Sequence, residues 1–300
     1  MKNAIKVLCF VLAVILIIVG AAYFMFFWQK SDFEIMDGVN NGTAVITAYK
    51  GDSVNIKIPN RIRGKKVVAI DDNAFEDSKI VSVELNKYIT SVGKDAFYNC
   101  QSLKEADLKN VKSIGETAFG NCASLTKIEI PATVERFNNV PFLNDEKLTE
   151  VVFEENGHFI NENNVIYSAD KSELVQVLPC AKLKEFTCPQ ELRKIYAYAF
   201  YNQTSLESFK YNNNIKAIGN ATFLNCSKLS NLIIPDSVVE IDSIIINQTA
   251  IKSIVIPATV SKIDDNAFTK LEDSLTIKTT SGSVAERFAK EKGFKLEIIK

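Results

Sequence analysis

Residues suited to chemistry are few and scattered in this chain of 300 residues. Its one histidine, His158, follows the polar run Glu154-Glu155-Asn156-Gly157 and has no evident nucleophile to pair with. Hydrolases and metal enzymes usually draw on several histidines, or on one histidine that is paired with a nucleophile. The motifs G-x-S-x-G, H-E-x-x-H, G-x-x-x-x-G-K-S/T and G-x-G-x-x-G are all absent from the sequence. We therefore predict a solvated histidine, no enzymatic activity, and no metal or other cofactor.

Two pairs of neighbouring carboxylates would suit general acid–base catalysis if each stood alone. Asp71-Asp72 and Asp264-Asp265, however, fall at equivalent positions of a segment that recurs along the chain. A pair that is copied with a repeat is better explained by the backbone geometry of that repeat. We therefore assign these carboxylates to turns.

The cysteines are the remaining candidates for metal binding or cross-linking. Cys100, Cys122 and Cys226 share one column of the repeat, and no histidine or C-x-x-C pair accompanies them. This arrangement favours stacked, buried thiols over a metal site. Cys180 and Cys188 lie close together in sequence and would either form a disulfide in an oxidising compartment or stay free.

Composition limits the classes of protein that need to be considered. The chain is 47% hydrophobic and 24% charged, which is typical of folded proteins, and its formal net charge is −1. A near-neutral chain lacks the basic footprint of a nucleic-acid-binding protein. The length allows two globular domains or one elongated domain.

The first apolar segment predicts a membrane-spanning helix. Val7–Trp28 has no charged residue over 22 positions. As a helix it would extend about 33 Å, enough to cross a hydrocarbon core of about 30 Å. Because Lys2 and Lys6 precede it and Asp32 and Glu34 follow it, we expect residues 1–6 in the cytoplasm and residues 29–300 outside it. The alternative is a signal peptide that is cleaved near Ala21, which would give a secreted protein.

One segment recurs eight times after residue 69. Each copy has a large apolar residue, here called the repeat anchor, at its sixth position, and successive anchors are separated by 22, 22, 23, 58, 23, 23 and 22 residues. The repeat anchors are Phe75, Phe97, Phe119, Phe142, Phe200, Phe223, Ile246 and Phe268. A unit of this length cannot bury its apolar side alone, so it must stack on its neighbours as a solenoid.

Between the repeat anchors, apolar residues alternate in a way that predicts a short strand. Leu125, Ile128, Ile130 and the following Pro131 are one example. An alternation with a period of two is typical of a half-buried β-strand. The predicted fold class is therefore a β-rich solenoid of stacked short parallel strands, preceded by one transmembrane helix.

Two columns of the repeat predict turns. The position four residues before the anchor holds Gly, Asp or Asn in seven copies, as in Gly93 and Gly115, and we predict a left-handed backbone there. Tyr196 occupies this column in the remaining copy, whose anchor is Phe200, so we expect a different local backbone. The position two residues after the anchor often holds Asn, as in Asn99 and Asn121. We expect these amides to be buried and to bond the backbone of the turns.

Longer strings of the repeat resemble a known family. IGETAFGNCASLTKIEIPATVERF and IGNATFLNCSKLSNLIIPDSVVEI are similar to the BspA-type leucine-rich repeat, found in surface proteins of bacteria and of some mucosal protozoa. The resemblance covers residues 70 to about 277, and both flanks resemble the capping segments of the family. It implies a leucine-rich-repeat solenoid that contains an inserted structural hairpin and that adheres to proteins of host or neighbouring cells.

The segments before and after the repeats, and the 58-residue interval between Phe142 and Phe200, contain turn and capping motifs. Asn40-Asn41-Gly42 predicts a hairpin turn, and Ser283 with Glu286 predicts a capping box for a short helix. Asp170-Lys171-Ser172 separates two apolar runs and predicts an inserted hairpin at about residues 154–190. We divide the chain into an N-terminus (1–6), a transmembrane segment (7–28), a capping hairpin with the first strand (29–69), the solenoid (70–277), and a cap of helix and strand (278–300).

One outward-facing strand column is a candidate for binding a partner. It changes from acidic to apolar along the chain, in the order Glu84, Asp107, Glu129, Val152, Lys210, Ile233 and Val255. Strand propensity alone can explain exposed β-branched residues. The alternative is a binding patch that includes Val152, Lys210, Ile233 and Val255.

A group of tyrosines follows the long spacing and is the second candidate. Tyr196, Tyr198, Tyr201 and Tyr211 fall within 16 residues. They either pack against the inserted hairpin or form an interaction patch, for which the first three are the candidates.

These observations favour a non-enzymatic, membrane-anchored cell-surface protein. Its repeat region is expected to bind a protein on a host or neighbouring cell, and no nucleic acid. The alternative is a structural scaffold of the cell's own envelope.

Overall fold

The computed structural model describes residues 31–155 and 157–300, which form a solenoid of stacked coils. The segment Val7–Trp28, predicted to span a membrane, lies outside these residues. Among the helices of the described ranges, none combines the length and apolarity needed to cross a bilayer.

Most strands have two to five residues. The N-terminal part contains β1 (Phe33–Asp37), β2 (Thr43–Tyr49), β3 (Asn55–Lys57), β4 (Arg61–Ile62), β5 (Lys65–Ile70), β6 (Ser82–Glu84), β7 (Ser91–Val92), β8 (Glu105–Asp107), β9 (Ser113–Ile114), β10 (Lys127–Ile130), β11 (Arg136–Phe137) and β12 (Glu150–Phe153). The insertion contains β13 (Phe159–Glu162), β14 (Val165–Ser168), β15 (Glu173–Val177) and a 3-10 turn (Pro179–Ala181). The C-terminal part contains β16 (Glu185–Thr187), β17 (Lys194–Ile195), β18 (Ser208–Lys210), β19 (Ala217–Ile218), β20 (Asn231–Ile233), β21 (Glu240–Ile241), β22 (Ser253–Val255), β23 (Lys262–Ile263), β24 (Thr276–Thr279), helix α1 (Val284–Lys292) and β25 (Lys295–Ile298).

Each coil contributes to two parallel ribbons of strands. The first ribbon contains three hydrogen-bonded sheets, β3-β6-β8, β10-β12 and β16-β18-β20-β22-β24-β25. The second ribbon contains β2-β5-β7-β9-β11, β15-β17 and β19-β21-β23. A turn segment with the repeat anchor forms the third side of the coil. The predicted solenoid of short parallel strands is confirmed.

The repeat anchors form the centre of the core, and all eight are buried. Rings of successive coils stack, with centroids 4.9 Å apart for Phe75 and Phe97 and 5.2 Å apart for Phe97 and Phe119. Burying a phenylalanine side chain stabilises a fold by about 1.5–3 kcal/mol. Because each ring is covered by the rings of adjacent coils, stability depends on stacking.

The column four residues before the anchor is not left-handed, so this prediction is wrong. Gly93 and Gly115 are absent from the residues with positive φ. A Cβ atom on Gly115 would lie 2.3 Å from the carbonyl carbon of Gly93, so glycine is needed because adjacent backbones approach closely. The left-handed positions come two residues later, as at Asp95 and Thr117.

Tyr196 does not change the backbone bonding of this column, which corrects the second prediction about it. Its amide donates to the Leu174 carbonyl at 2.9 Å, as the Gly93 amide donates to Ile70 at 3.0 Å.

The column two residues after the anchor is left-handed in all eight coils, with φ between 57° and 63°. Its asparagines are half-buried, and the side-chain amides of Asn99, Asn121 and Asn225 donate to the side chain in the same column of the preceding coil rather than to the predicted turn backbone. Asn121 donates to Asn99 at 2.6 Å, and Asn225 donates to Asn202 at 2.7 Å. Asparagine suits this column because it tolerates the left-handed region better than most residues.

Both ends of the core are covered. Strands β1 and β2 form an antiparallel hairpin around Gly42, and the Tyr49 ring stacks on Phe75 at 5.5 Å. At the other end, the Ser283 hydroxyl caps α1 by accepting from the Glu286 amide at 3.0 Å. The helix ends at the left-handed Gly293, and β25 pairs with β24.

The insertion is a three-stranded antiparallel unit rather than a simple hairpin. Strands β14 and β15 flank the Asp170-Lys171-Ser172 turn, and β13 joins them through the left-handed pair Asn163-Asn164. Strand β15 pairs in parallel with β17, and the Gln176 amide donates to the Phe142 carbonyl at 2.9 Å. The insertion therefore stacks between the two halves of the solenoid as a coil would.

Candidate functional site: exposed surfaces of the solenoid

The first ribbon presents the predicted outward column to solvent. Lys210, Ile233 and Val255 are in direct register on β18, β20 and β22. Ile233 is 65% exposed and Val255 is 38% exposed, while Leu232 and Ile254, which precede them in sequence, are buried. In the same register, Lys278 follows Val255, so the apolar pair lies between two lysines.

Val152 lies on a different sheet. It is 44% exposed and pairs with Glu129 between β12 and β10. Because the insertion separates β12 from β16 along the chain, Val152 is not continuous with the Ile233–Val255 pair in the hydrogen-bonded ladder.

The first ribbon also opens between β8 and β10, which belong to different sheets. Ala106 occupies the inward position that Val83 and Ile128 fill in the neighbouring coils. A crevice of about 660 Å³ lies there, lined by residues that include Ala106, Ile128, Asp107 and Glu129. Because the side chain of Ala106 is smaller than those of Val83 and Ile128, it fills less of the space between β8 and β10.

Tyr196 packs against the insertion. Its hydroxyl donates to the Glu173 carboxylate at 2.8 Å, and the Lys194 ammonium lies 4.3 Å from its ring centroid. Burial and the adjacent Glu173 raise the pKa of the Tyr196 hydroxyl. The position of this residue therefore matches the first of the two explanations considered for it, packing against the insertion.

Tyr198 and Tyr201 form a separate group on the turn side. Their rings meet edge to face, with centroids 6.2 Å apart. Tyr198 has φ +60° and lines a cleft of about 310 Å³ together with Tyr98 and Leu143. Tyr211 does not belong to this exposed group, because it is buried in the core beside Phe209.

Sequence reasoning missed Tyr98, although a signal for it exists. Tyr98, Gly120, Leu143 and Tyr201 all come directly after a repeat anchor. Residues in one column lie side by side in a solenoid, so tyrosines in copies far apart in sequence can share one surface. Burial and the nearby Asp95 raise the pKa of the Tyr98 hydroxyl.

The residues first considered for chemistry are dispersed. His158 is exposed in the turn before β13. The cysteines of the described chain are free, including Cys180 and Cys188. The Cys100 thiol donates to the Phe75 carbonyl at 3.1 Å, and burial raises its pKa to about 12, which suppresses the reactive thiolate. Within residues 31–155 and 157–300, no group of three or more His, Cys, Asp or Glu residues is placed to hold a metal ion.

Stacked coils, capped ends and exposed side chains on each face define a leucine-rich-repeat solenoid. The chain belongs to the family described as BspA type leucine rich repeat region. The family model matches residues 52–173 and 179–274 in six copies.

Solved structures share this fold at low sequence identity. The pneumococcal vaccine antigen PcpA is 16% identical, with a TM-score of 0.62, over 89% of this chain and 96% of that chain. A leucine-rich repeat protein from Eubacterium ventriosum ATCC 27560 is 17% identical, with a TM-score of 0.58, over 87% of this chain and 92% of that chain. A search of curated proteins gives no match.

Proposed function

We propose that this is a non-enzymatic protein of the cell surface, held in the membrane by Val7–Trp28, whose solenoid binds a protein on a host or neighbouring cell. The family is one of repeat proteins compatible with protein–protein interaction. One protein with this fold is a pneumococcal vaccine antigen.

The observation that carries the proposal is the exposed pair Ile233 and Val255. The two side chains are adjacent in register on a rigid ladder, and Lys210 and Lys278 flank them. Protein interfaces place apolar anchors at the centre of a patch and polar residues at its rim. Lys278 is paired with Glu297 at 2.9 Å, so among the described residues Lys210 is the flanking cation without an ion pair. A partly apolar partner surface with an acidic group opposite Lys210 would complement this arrangement.

The test is capture of a partner by the full chain in a neutral detergent. We expect retention of host matrix or neighbouring-cell proteins by the unaltered chain and loss of retention when Ile233→Glu and Val255→Glu are combined. Val239→Glu is the matched control, because Val239 is 43% exposed but lies outside the first ribbon. Crosslinking that recovers only proteins of the cell's own envelope would favour the scaffold function instead.

A further inference from the structure

The cleft beside Tyr198 combines aromatic walls with a negatively charged rim. Its lining includes Tyr98, Tyr198 and Leu143, here called the walls, and the acidic residues Glu76, Asp95 and Glu116, here called the rim. The residues come from turn segments on both sides of the insertion, so the cleft exists only in the stacked solenoid.

Close packing holds the Tyr98 ring in place. A Cβ atom on Gly120 would extend to within 3.1 Å of Cδ2 and 3.3 Å of Cε2 of Tyr98. Gly120 is not among the positive-φ residues, so its small size here serves close contact rather than an unusual backbone. The ring of Tyr98 lies over the space that a side chain at position 120 would fill.

Tyr198 is the second tyrosine of the cleft whose position is fixed. Its φ of +60° is uncommon for an aromatic residue, and such conformations persist only where surrounding structure imposes them. The amide of Tyr201 donates to the Tyr198 carbonyl at 2.8 Å, and the two rings are in edge contact. The walls are therefore set before any ligand arrives, which lowers the entropy cost of binding.

The charge of the rim is negative. Lys94 also lines the cleft and lies 3.5 Å from Glu116, so this pair is largely neutral. Glu76 accepts from the side-chain amide of Asn73 at 2.8 Å, and Asp95 accepts from the Thr117 hydroxyl. Because both donors are neutral, the charges of Glu76 and Asp95 are not cancelled.

Aromatic faces and carboxylates both attract cations, and the volume of the cleft suits one long side chain. An ammonium or guanidinium group within about 6 Å of a tyrosine ring is favoured by the ring quadrupole, and carboxylates strengthen this attraction through charge-assisted hydrogen bonds. Resting on the proposed function of protein binding, we infer that this cleft accepts a lysine or arginine side chain of the partner protein.

The inference is tested by calorimetric titration of the full chain in neutral detergent with short peptides. The probe is a glycine-rich peptide with blocked ends and one central lysine, and the control peptide has norleucine in its place. We expect the lysine peptide to bind about tenfold more tightly than the norleucine peptide, and added salt to weaken it. An arginine peptide is expected to bind as well.

Variants of the lining residues distinguish binding of the lysine peptide in the cleft from nonspecific attraction to the charged surface. Tyr198→Ala and Glu76→Gln should each weaken the lysine peptide several-fold, while Lys94→Ala should strengthen it by removing the competing cation. Tyr88→Ala is the matched control, since Tyr88 is a half-buried tyrosine with lysines near its ring but lies outside the cleft. A strengthened Lys94→Ala complex is a result that a merely structural role of these residues would not produce.

Two outcomes would overturn the inference. One is equal binding of the lysine and norleucine peptides; the other is binding of a neutral trisaccharide, such as maltotriose, while the lysine peptide gives no signal. If partner capture continues and no lysine peptide binds, the inference fails and the proposed function stands. If the Ile233 and Val255 variants retain every partner while lysine still binds, the proposed docking patch fails and the cleft remains.

Discussion

The Tyr196 hydroxyl donates a 2.8 Å hydrogen bond to the Glu173 carboxylate, across the boundary between the insertion and the next coil. Strands β15 and β17 also pair across this boundary, with Leu174 opposite Ile195. Tyr196, for which the sequence left open both packing on the insertion and partner recognition, therefore joins the insertion to the solenoid.

We expect Tyr196→Phe to lower the free energy of unfolding by about 1 kcal/mol, because a half-buried hydrogen bond to a charged acceptor is lost. Glu173→Gln should cost a similar amount, and the double variant should cost less than the sum of the two. Denaturant unfolding measures all three. Tyr201→Phe is the control, and additive single-variant effects would show that the hydrogen bond contributes nothing.

The same pair predicts a response to alkaline pH. Burial and Glu173 raise the pKa of the Tyr196 hydroxyl above its ordinary value of 10.0. The neutral phenol is favoured in the folded state, so its contribution is complete below pH 10 and is lost as pH rises above it. The stability difference between the unaltered chain and Tyr196→Phe should therefore shrink above pH 10.

The sequence predicts the repeat period, the core anchors and the outward strand column because each depends on a periodic choice of apolar or polar residue. It predicts both caps because a turn signal and a capping box are local patterns. The sequence did not reveal why glycine occupies positions 93 and 115. The cause is close approach between the backbones of adjacent coils, which depends on distances that a sequence does not contain. Strand β13 was missed because Phe159–Glu162 is short and follows a polar turn. Tyr98 was missed because its partners in the cleft come from coils that are distant in sequence.

The two explanations for the glycine column predict different effects of alanine. Gly115→Ala should destabilise the protein by about 1–3 kcal/mol, as for an overpacked site, because the new Cβ would lie 2.3–2.5 Å from backbone atoms of Gly93 and Lys94. Gly219→Ala is the matched control, since its Cβ would be 3.4 Å from the nearest atom, the Ile195 carbonyl oxygen. Equal losses from the two variants in denaturant unfolding would contradict close approach as the cause.

The left-handed column predicts a stabilising substitution. Lys270 is exposed, has φ +63°, and occupies the column in which five other coils have asparagine. Left-handed backbone costs an ordinary residue roughly 1–2 kcal/mol, and asparagine tolerates it better. Lys270→Asn should therefore raise the free energy of unfolding by about 0.5–1 kcal/mol. Lys252→Asn, at an exposed position without positive φ, should give no gain; a loss at position 270 would refute the argument.

Asp145 occupies the column of Cys100 and Cys122 and carries a carboxylate into the core. It is fully buried; its Oδ1 accepts from the Cys122 amide at 2.6 Å, and its Oδ2 has no hydrogen-bond partner among the described residues. Burial raises the pKa of this carboxyl well above its ordinary value of 3.8, despite the opposing effect of the Cys122 amide. The folded protein therefore retains a proton that the unfolded chain releases.

For a carboxyl whose folded pKa is raised, stability is highest below the unfolded pKa and falls as pH rises toward the folded pKa. The fall is about 1.4 kcal/mol for each pH unit between the two pKa values. Relative to Asp145→Asn, the unaltered chain should therefore lose stability as pH rises above about 4, as followed by urea unfolding at each pH. Asp236→Asn, at an exposed position, is the control and should keep the pH dependence of the unaltered chain. Parallel stability curves for Asp145→Asn and the unaltered chain over this range would show that the buried carboxyl is ionised in both states.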